Sequence, residues 1–375
     1  MQADCTLVAG ARFLAAADRQ RLIDVLREAG YAVHGPRVQD GVIRYAPVAT
    51  IEDLPRGWRD IQTPGRYGLR QTDDARLFAW AAPAESLKPL VFPGREVRFT
   101  AQRDASGRLH FQPAEVPAPR QAVLGVRACD LAGLFLQDRH FLQGGAHPDE
   151  AYRRRRRNLF LVAVHCTHPA DTCFCAATDD GPVARYGFDL AISELEEGWL
   201  LEARSHAGQT ILDRLPTRTA RDEERQEAEA AFSQAAAAQR RRLPGGDLPA
   251  RLRERLNPDA WQAVARRCLA CGNCTAVCPS CFCHAHVEES ALNGSATRRL
   301  RQWDSCFTAG HSLLHGRPVR EDTASRYRQW LTHKLSGWLE QYGRSGCSGF
   351  GRCITWCPEG IDITAEAAAI AGEEA

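Results

Sequence analysis

The strongest constraint on this chain is a cysteine spacing near its carboxyl end, where Cys268, Cys271, Cys274 and Cys278-Pro279 spell Cys-x2-Cys-x2-Cys-x3-Cys-Pro. Such a run wraps three thiolates around one cubane and turns the fourth toward another. Soft, deprotonated sulfur suits iron, and short spacers let backbone amides reach cluster sulfides. Gly272, next to Cys271, fits the tight turn. A structural zinc site usually takes its ligands in two pairs, so an unbroken run closed by proline argues for iron and sulfide.

A second group follows as Cys347-x5-Cys353-x3-Cys357-Pro358, with Phe350 where a regular motif has its second cysteine. Under the usual crossover, Cys268, Cys271, Cys274 and Cys357 hold a first cluster, which leaves Cys278, Cys347 and Cys353 for a second. Three thiolates match a 3Fe-4S cluster. Alternatively Cys281, Cys283 or Cys306, or solvent, completes a 4Fe-4S cubane. A blander reading has the second cluster lost and Phe350 packed in its place, although three retained motif cysteines weigh against it.

Fifteen cysteines exceed what packing needs, and Met1 to Gly30 shows no basic segment leading into an apolar run and a cleavage site. The expectation is a cytoplasmic protein, where clustered thiols serve as metal ligands rather than disulfides. No stretch approaches the roughly 20 apolar residues of a membrane span, so a membrane link would need another subunit. The net charge of +2, from 48 basic and 46 acidic residues, gives no global field to gather nucleic acid. The basic run Arg153 to Arg157 lacks interleaved aromatics and reads as a solvated helix face, or as a docking patch for an acidic partner.

Residues 1–215 alternate apolar runs with loop signals and read as an α/β (α+β) domain, with a helix over Asp18 to Ala29. Residues 216–256 become rich in Ala, Glu, Arg and Gln, with Phe232 as the one large apolar anchor before Leu243-Pro244-Gly245-Gly246, and read as a helical connector. Residues 257–365 form a mainly helical, two-cluster ferredoxin-like domain, and 366–375 a tail. The long insertion between the two cysteine groups, carrying Trp303, Tyr327, Trp330 and Trp338, is expected to be helical.

Within the first domain, Ala122 to Val126 and Leu159 to Val164 read as parallel strands joined through a helix over Leu131 to Gln137. Cys129 and Cys166 then emerge at the same carboxyl edge of a sheet, with Cys173 and Cys175 close behind. Four thiolates can converge there on a cluster, although buried free cysteines or a regulatory thiol pair fit the same spacing. His165, His168, His284 and His286 read as ordinary polar residues, and Gly349-Phe350-Gly351 as turn chemistry within the cysteine wrap. No nucleotide loop, nucleophile elbow or paired carboxylates announce a flavin site, a nucleotide site or catalysis in this chain.

The stretches Gly125-Val126-Arg127-Ala128-Cys129-Asp130, Cys173-Phe174-Cys175, Gly187-Phe188-Asp189-Leu190, Cys268-Leu269-Ala270-Cys271-Gly272-Asn273-Cys274, Trp303-Asp304-Ser305-Cys306 and Gly351-Arg352-Cys353 give the chain a family likeness. It resembles the beta, iron-sulfur subunit of cytoplasmic nickel-iron sulfhydrogenases and the related iron-sulfur subunit of anaerobic sulfite reductases. The resemblance implies a dicluster domain and a third cluster on Cys129, Cys166, Cys173 and Cys175. It also implies a flavin subunit handling NAD(P)H on one side and, on the other, a hydrogenase or sirohaem sulfite reductase subunit that holds the catalytic centre. Phe350 departs from the family, where a cysteine is expected. Two rivals to electron relay are sulfur reduction by this chain's own Cys281, Cys283 or Cys306, and a metal-bound scaffold or redox sensor.

Overall fold

The computed structural model describes residues 7, 10–256 and 259–373. The expected boundary at 257, most of the first nine residues and the last two of the tail lie outside them.

Leu159–Val164 is buried at every position. Its side chains alternate between two cores, with Phe160, Val162 and Val164 on one face and Leu159, Leu161 and Ala163 on the other. A continuous apolar run of this kind belongs to a parallel strand covered on both sides, where each large aliphatic contributes about 1.5–3 kcal/mol of burial. Gln121–Val126 and Leu190–Glu194 flank it in parallel register. Ala32–Gln39 adds a fourth parallel strand beside Gln121–Val126. Antiparallel strands close the edges: Val42–Pro47 on one side, and Gly198–Ala203, Arg12–Ala15 and Arg218–Thr219 on the other, making an eight-stranded sheet. The helix over Gln20–Glu28 buries Leu22, Ile23, Val25 and Leu26 on the first face. Ala128–Asp138 and Glu150–Arg157 supply the crossover between the two central strands. A mixed α/β amino-terminal region is therefore present.

The connector holds a helix, Asp222–Ala237, whose Phe232 is buried as its isolation in a polar stretch suggested. Beyond it, Ala260–Arg267, Thr323–Thr332 and Ile363–Ala371 enclose a core of Trp261, Val264, Tyr327, Trp330, Leu331 and Ile370. None of the helices among the described residues is long and apolar enough to cross a membrane.

The insertion differs from the helical expectation. It opens with two antiparallel strands, His284–Ser290 and Ala296–Trp303, and turns α-helical only from Thr323. Asn293-Gly294 supplies a hairpin turn. The paired positions Glu288 with Arg299 and Glu289 with Arg298 carry cross-strand ion pairs of 2.6 and 3.2 Å, so charge complementarity replaces the apolar alternation that would have marked the strands. This hairpin joins Arg95–Arg103 and Leu109–Pro113 in a four-stranded sheet, so strands from before and after the connector share one ladder.

The Arg153 to Arg157 run lies on the Glu150–Arg157 helix and is largely paired. Arg155 meets Glu96 at 2.7 Å, Arg156 meets Asp138 at 3.0 Å, and Arg153 and Arg154 meet Glu150.

Candidate metal centre

Cys268, Cys271, Cys274 and Cys357 line a single pocket, walled by Phe307, Tyr327 and Trp330. Gly272 (φ +78°) starts the short helix Asn273–Ala276, and this left-handed turn places Cys271 and Cys274 on either side of it. The Ala270 amide donates to Cys268 Sγ at 3.4 Å, the contact expected of a ligating sulfur. Burial, reinforced by the neighbouring thiols of Cys268, Cys271 and Cys357, pushes the Cys274 thiol well above the usual range. Cys271 is exposed, so this group sits at the surface.

Cys278, Cys347 and Cys353 are buried together behind the first group. Cys353 is close enough to Cys347, Cys278 and Cys274 for each to oppose its ionisation. The ammonium of Lys334 lies among them, donating to Cys278 Sγ at 3.3 Å, to Ser280 Oγ at 3.2 Å and to the Gly346 carbonyl at 3.2 Å. Burial alone would raise the Cys278 thiol, but hydrogen bonding to Cys281 and the Lys334 charge bring it well below the usual range. Lys334 occupies a π-helical turn, His333–Gly337, a local widening that often marks functional positions.

Phe350 is 4% exposed and packs against Cys278, Cys129 and Cys175, with Cys281 alongside. Its ring therefore lies between the second ferredoxin group and the amino-terminal cysteines, and Arg352 covers it at 5.2 Å. The flanking glycines explain this close approach. A Cβ at Gly349 would stand 2.6 Å from the Cys175 backbone, and one at Gly351 would stand 2.3 Å from the Thr172 carbonyl oxygen. The loop is thus the turn that its glycines suggested, pressed onto the Cys173–Cys175 segment, where the Phe174 amide donates to the Gly349 carbonyl at 2.8 Å.

The βαβ reading places Cys129 and Cys166 correctly. Cys129 opens the Ala128–Asp138 helix after Gln121–Val126, Cys166 follows Leu159–Val164, and the strands are parallel. Cys173 and Cys175 join them, all four buried and mutually close. A hydrogen bond with Cys129 and then burial push the Cys175 thiol well above the usual range, and burial does the same to Cys173. Unligated, such thiols stay protonated, and only a strong local positive charge makes thiolates of them. Four buried, mutually close soft sulfur donors are a set that fits an iron-sulfur cluster.

Several contributors were missed by sequence reading. Gln239 donates to Cys175 Sγ at 3.4 Å, and nothing in its polar stretch marked it. Arg127 is fully buried and donates to the Val164, His165 and Phe78 carbonyls, fixing the strand ends that carry Cys129 and Cys166. Arg352 forms a bidentate pair with Asp130 at 2.6 and 2.7 Å, which locks the second cysteine group onto the helix bearing Cys129. Lys334 could have been found, because Tyr327, Trp330, Leu331 and Lys334 recur at helical spacing and put a lysine on an apolar face.

The remaining candidates separate. Cys281 stays beside Cys278, whereas Cys283 meets Cys306, Sγ to Sγ, at 3.7 Å. The four histidines set aside in the sequence have ordinary partners: His165 accepts from the Ala184 amide, His168 meets Arg76 and Thr167, His284 faces the Phe282 carbonyl and the Phe92 ring, and His286 meets His284 edge-on.

Comparison with known proteins decides the class. Residues 267–361 match a 4Fe-4S dicluster domain. The chain is also 29% identical over 350 residues to a sulfhydrogenase 2 subunit beta from Pyrococcus furiosus, covering 90% of this chain and 91% of that one. It is an iron-sulfur protein similar over 90% of its length to a sulfhydrogenase beta subunit. No solved structure matches it. The matched domain contains both ferredoxin groups, and the similarity extends over the amino-terminal cysteines as well.

Proposed function

We propose that this chain is a cytoplasmic electron relay between a flavin subunit handling NAD(P)H and a catalytic subunit, with a nickel-iron sulfhydrogenase favoured over a sulfite reductase by the full-length similarity. The observation that carries the reading is the contiguity of the three cysteine groups. The first reaches the surface at Cys271, the second touches it through Cys274 and Cys353, and Phe350 joins the second to the buried amino-terminal set.

In this reading Cys268, Cys271, Cys274 and Cys357 hold one 4Fe-4S cluster, and Cys129, Cys166, Cys173 and Cys175 another. Cys278, Cys347 and Cys353 hold the middle one, and Cys281, hydrogen-bonded to Cys278, supplies the ligand that Phe350 forfeits. Bound clusters supply reversible one-electron transfer, at potentials set by charge, hydrogen bonding and exposure. The protein's part is to exclude water around the inner groups, to place the Lys334 charge beside Cys278 and to hold the groups in fixed succession.

Anaerobic purification of the assembled complex, with iron counting and electron paramagnetic resonance, tests the assignment. About twelve irons are expected in this chain, all in cubanes, with NAD(P)H reducing them through the flavin partner. Cys281→Ser should convert the middle centre alone to a 3Fe-4S signal. An oxidised 3Fe-4S signal already present in the unaltered protein, and lost in Phe350→Cys, would replace Cys281 by a vacant ligand position. Clusters that partners cannot reduce would remove the relay altogether.

A further inference from the structure

Outside the three cysteine groups, Cys283, Cys306 and His311 present ligand atoms that all lie within 4.8 Å of one another. We propose that these residues bind a single zinc ion. Two Zn–S bonds of about 2.3 Å at a tetrahedral angle place their sulfurs about 3.8 Å apart, and the observed separation is 3.7 Å. A disulfide would need about 2.05 Å.

The backbone builds the site. His284 pairs with Trp303 at the open end of the hairpin, and the Asp304 amide donates to the Cys283 carbonyl at 2.9 Å, so the residues that extend the two strands stay together. His311 arrives on the 3-10 turn Ala309–Ser312. Its Nδ1 stands 2.9 Å from Asp304 Oδ2. A carboxylate that takes the Nδ1 proton leaves the Nε2 lone pair for a metal and fixes the ring, the usual outer partner of a zinc-bound histidine.

A second observation explains why an ion is needed there. Between Asp304 and Asp322 only Ser305 and Phe307 are buried, while Leu313, Leu314 and Val319 are more than half exposed. A lobe with so little core is held by a metal or a disulfide more readily than by packing. Two thiolates and a neutral imidazole leave Zn²⁺ with no net charge and one open tetrahedral position, and a cavity of about 210 Å³ borders the site at Cys283 and Asp304. Water fills that position in the site we assign.

The assignment stands apart from the cluster reading, since iron and zinc are counted separately. The complex carrying the full chain would be purified as the wild type, Cys306→Ser and His311→Gln, then examined by elemental analysis and zinc K-edge absorption spectroscopy. The expected result is the loss of about one zinc per chain in each variant, with iron content and paramagnetic signals unchanged, and a wild-type edge fitted by two sulfurs and one nitrogen. Should Cys306→Ser fail to fold, His311→Gln, on a half-buried turn, carries the test. Unchanged zinc in the folded variants, iron lost in its place, or a native Cys283–Cys306 disulfide in mass spectrometry would each overturn the proposal.

Discussion

At the level of single residues, the most consequential contact is the buried pair of Arg352 and Asp130, both 1% exposed. Burial alone would lower the Arg352 pKa, yet the Asp130 carboxylate raises it above the ordinary value, so the cation persists. Arg352→Met should cost about 3–5 kcal/mol, because it strands Asp130 without a counter-charge. The check is the urea midpoint, with Asp130→Asn added to Arg352→Met restoring part of the loss. His140 makes a different kind of contribution. Its ring stacks on Phe282 at 3.5 Å and its Nδ1 shares a hydrogen bond with the Tyr342 hydroxyl at 2.9 Å, and burial lowers its pKa from 6.5 to about 4. The folded state therefore prefers neutral imidazole, and the unfolded chain takes up the proton first. Its stability contribution is complete above pH 6.5 and is lost as pH falls toward 4. Melting temperatures of His140→Asn should decline less steeply than wild type across that window. An identical slope would remove His140 from the acid response.

Among elements, the Gly349 to Arg352 turn matters most, since it brings the second cysteine group against the first-domain loop. Gly351 has φ +80° and no room for a methyl group. Gly351→Ala should cost about 2–4 kcal/mol and lower iron incorporation at the amino-terminal cysteines before it affects the Cys268 group. Iron per chain and the individual cluster signals would show whether that order holds. The sequence revealed the cysteine wraps because ligand spacing is local, and it revealed the βαβ unit because buried parallel strands read as unbroken apolar runs. It did not reveal the His284–Trp303 hairpin, whose strands are held by Glu–Arg pairs, although Asn293-Gly294 was a usable turn signal. It also missed His311, although Cys306-x4-His311 is a short, legible spacing of two metal-ligating residue types.

On the scale of the whole molecule, the two halves divide by composition and are joined by structure. Besides Arg352, the Gly65 amide donates to the Ile354 carbonyl at 3.1 Å, Thr355 bonds Gln62 at 2.9 Å, and Tyr67 stacks on Trp356 at 5.2 Å. Residues 1–256 and 257–375 expressed separately should each fail to give a cooperative melt, and together should reassemble with clusters in place. Independent melts of both pieces would contradict this. The four-stranded sheet also fixes an order of assembly in the cell. Arg95–Pro113 leaves the ribosome long before its partner Ala296–Trp303, a wait of about 10–40 s at ordinary synthesis rates. During that wait Phe99, Leu109 and Phe111, still partly exposed in the finished sheet, offer an unpaired apolar edge. The amino-terminal thiols wait longer still, until the turn carrying Phe350 closes over them. Any metal held by these cysteines would have to be in place by the time that turn closes, and chaperone demand should fall on the first third of the chain.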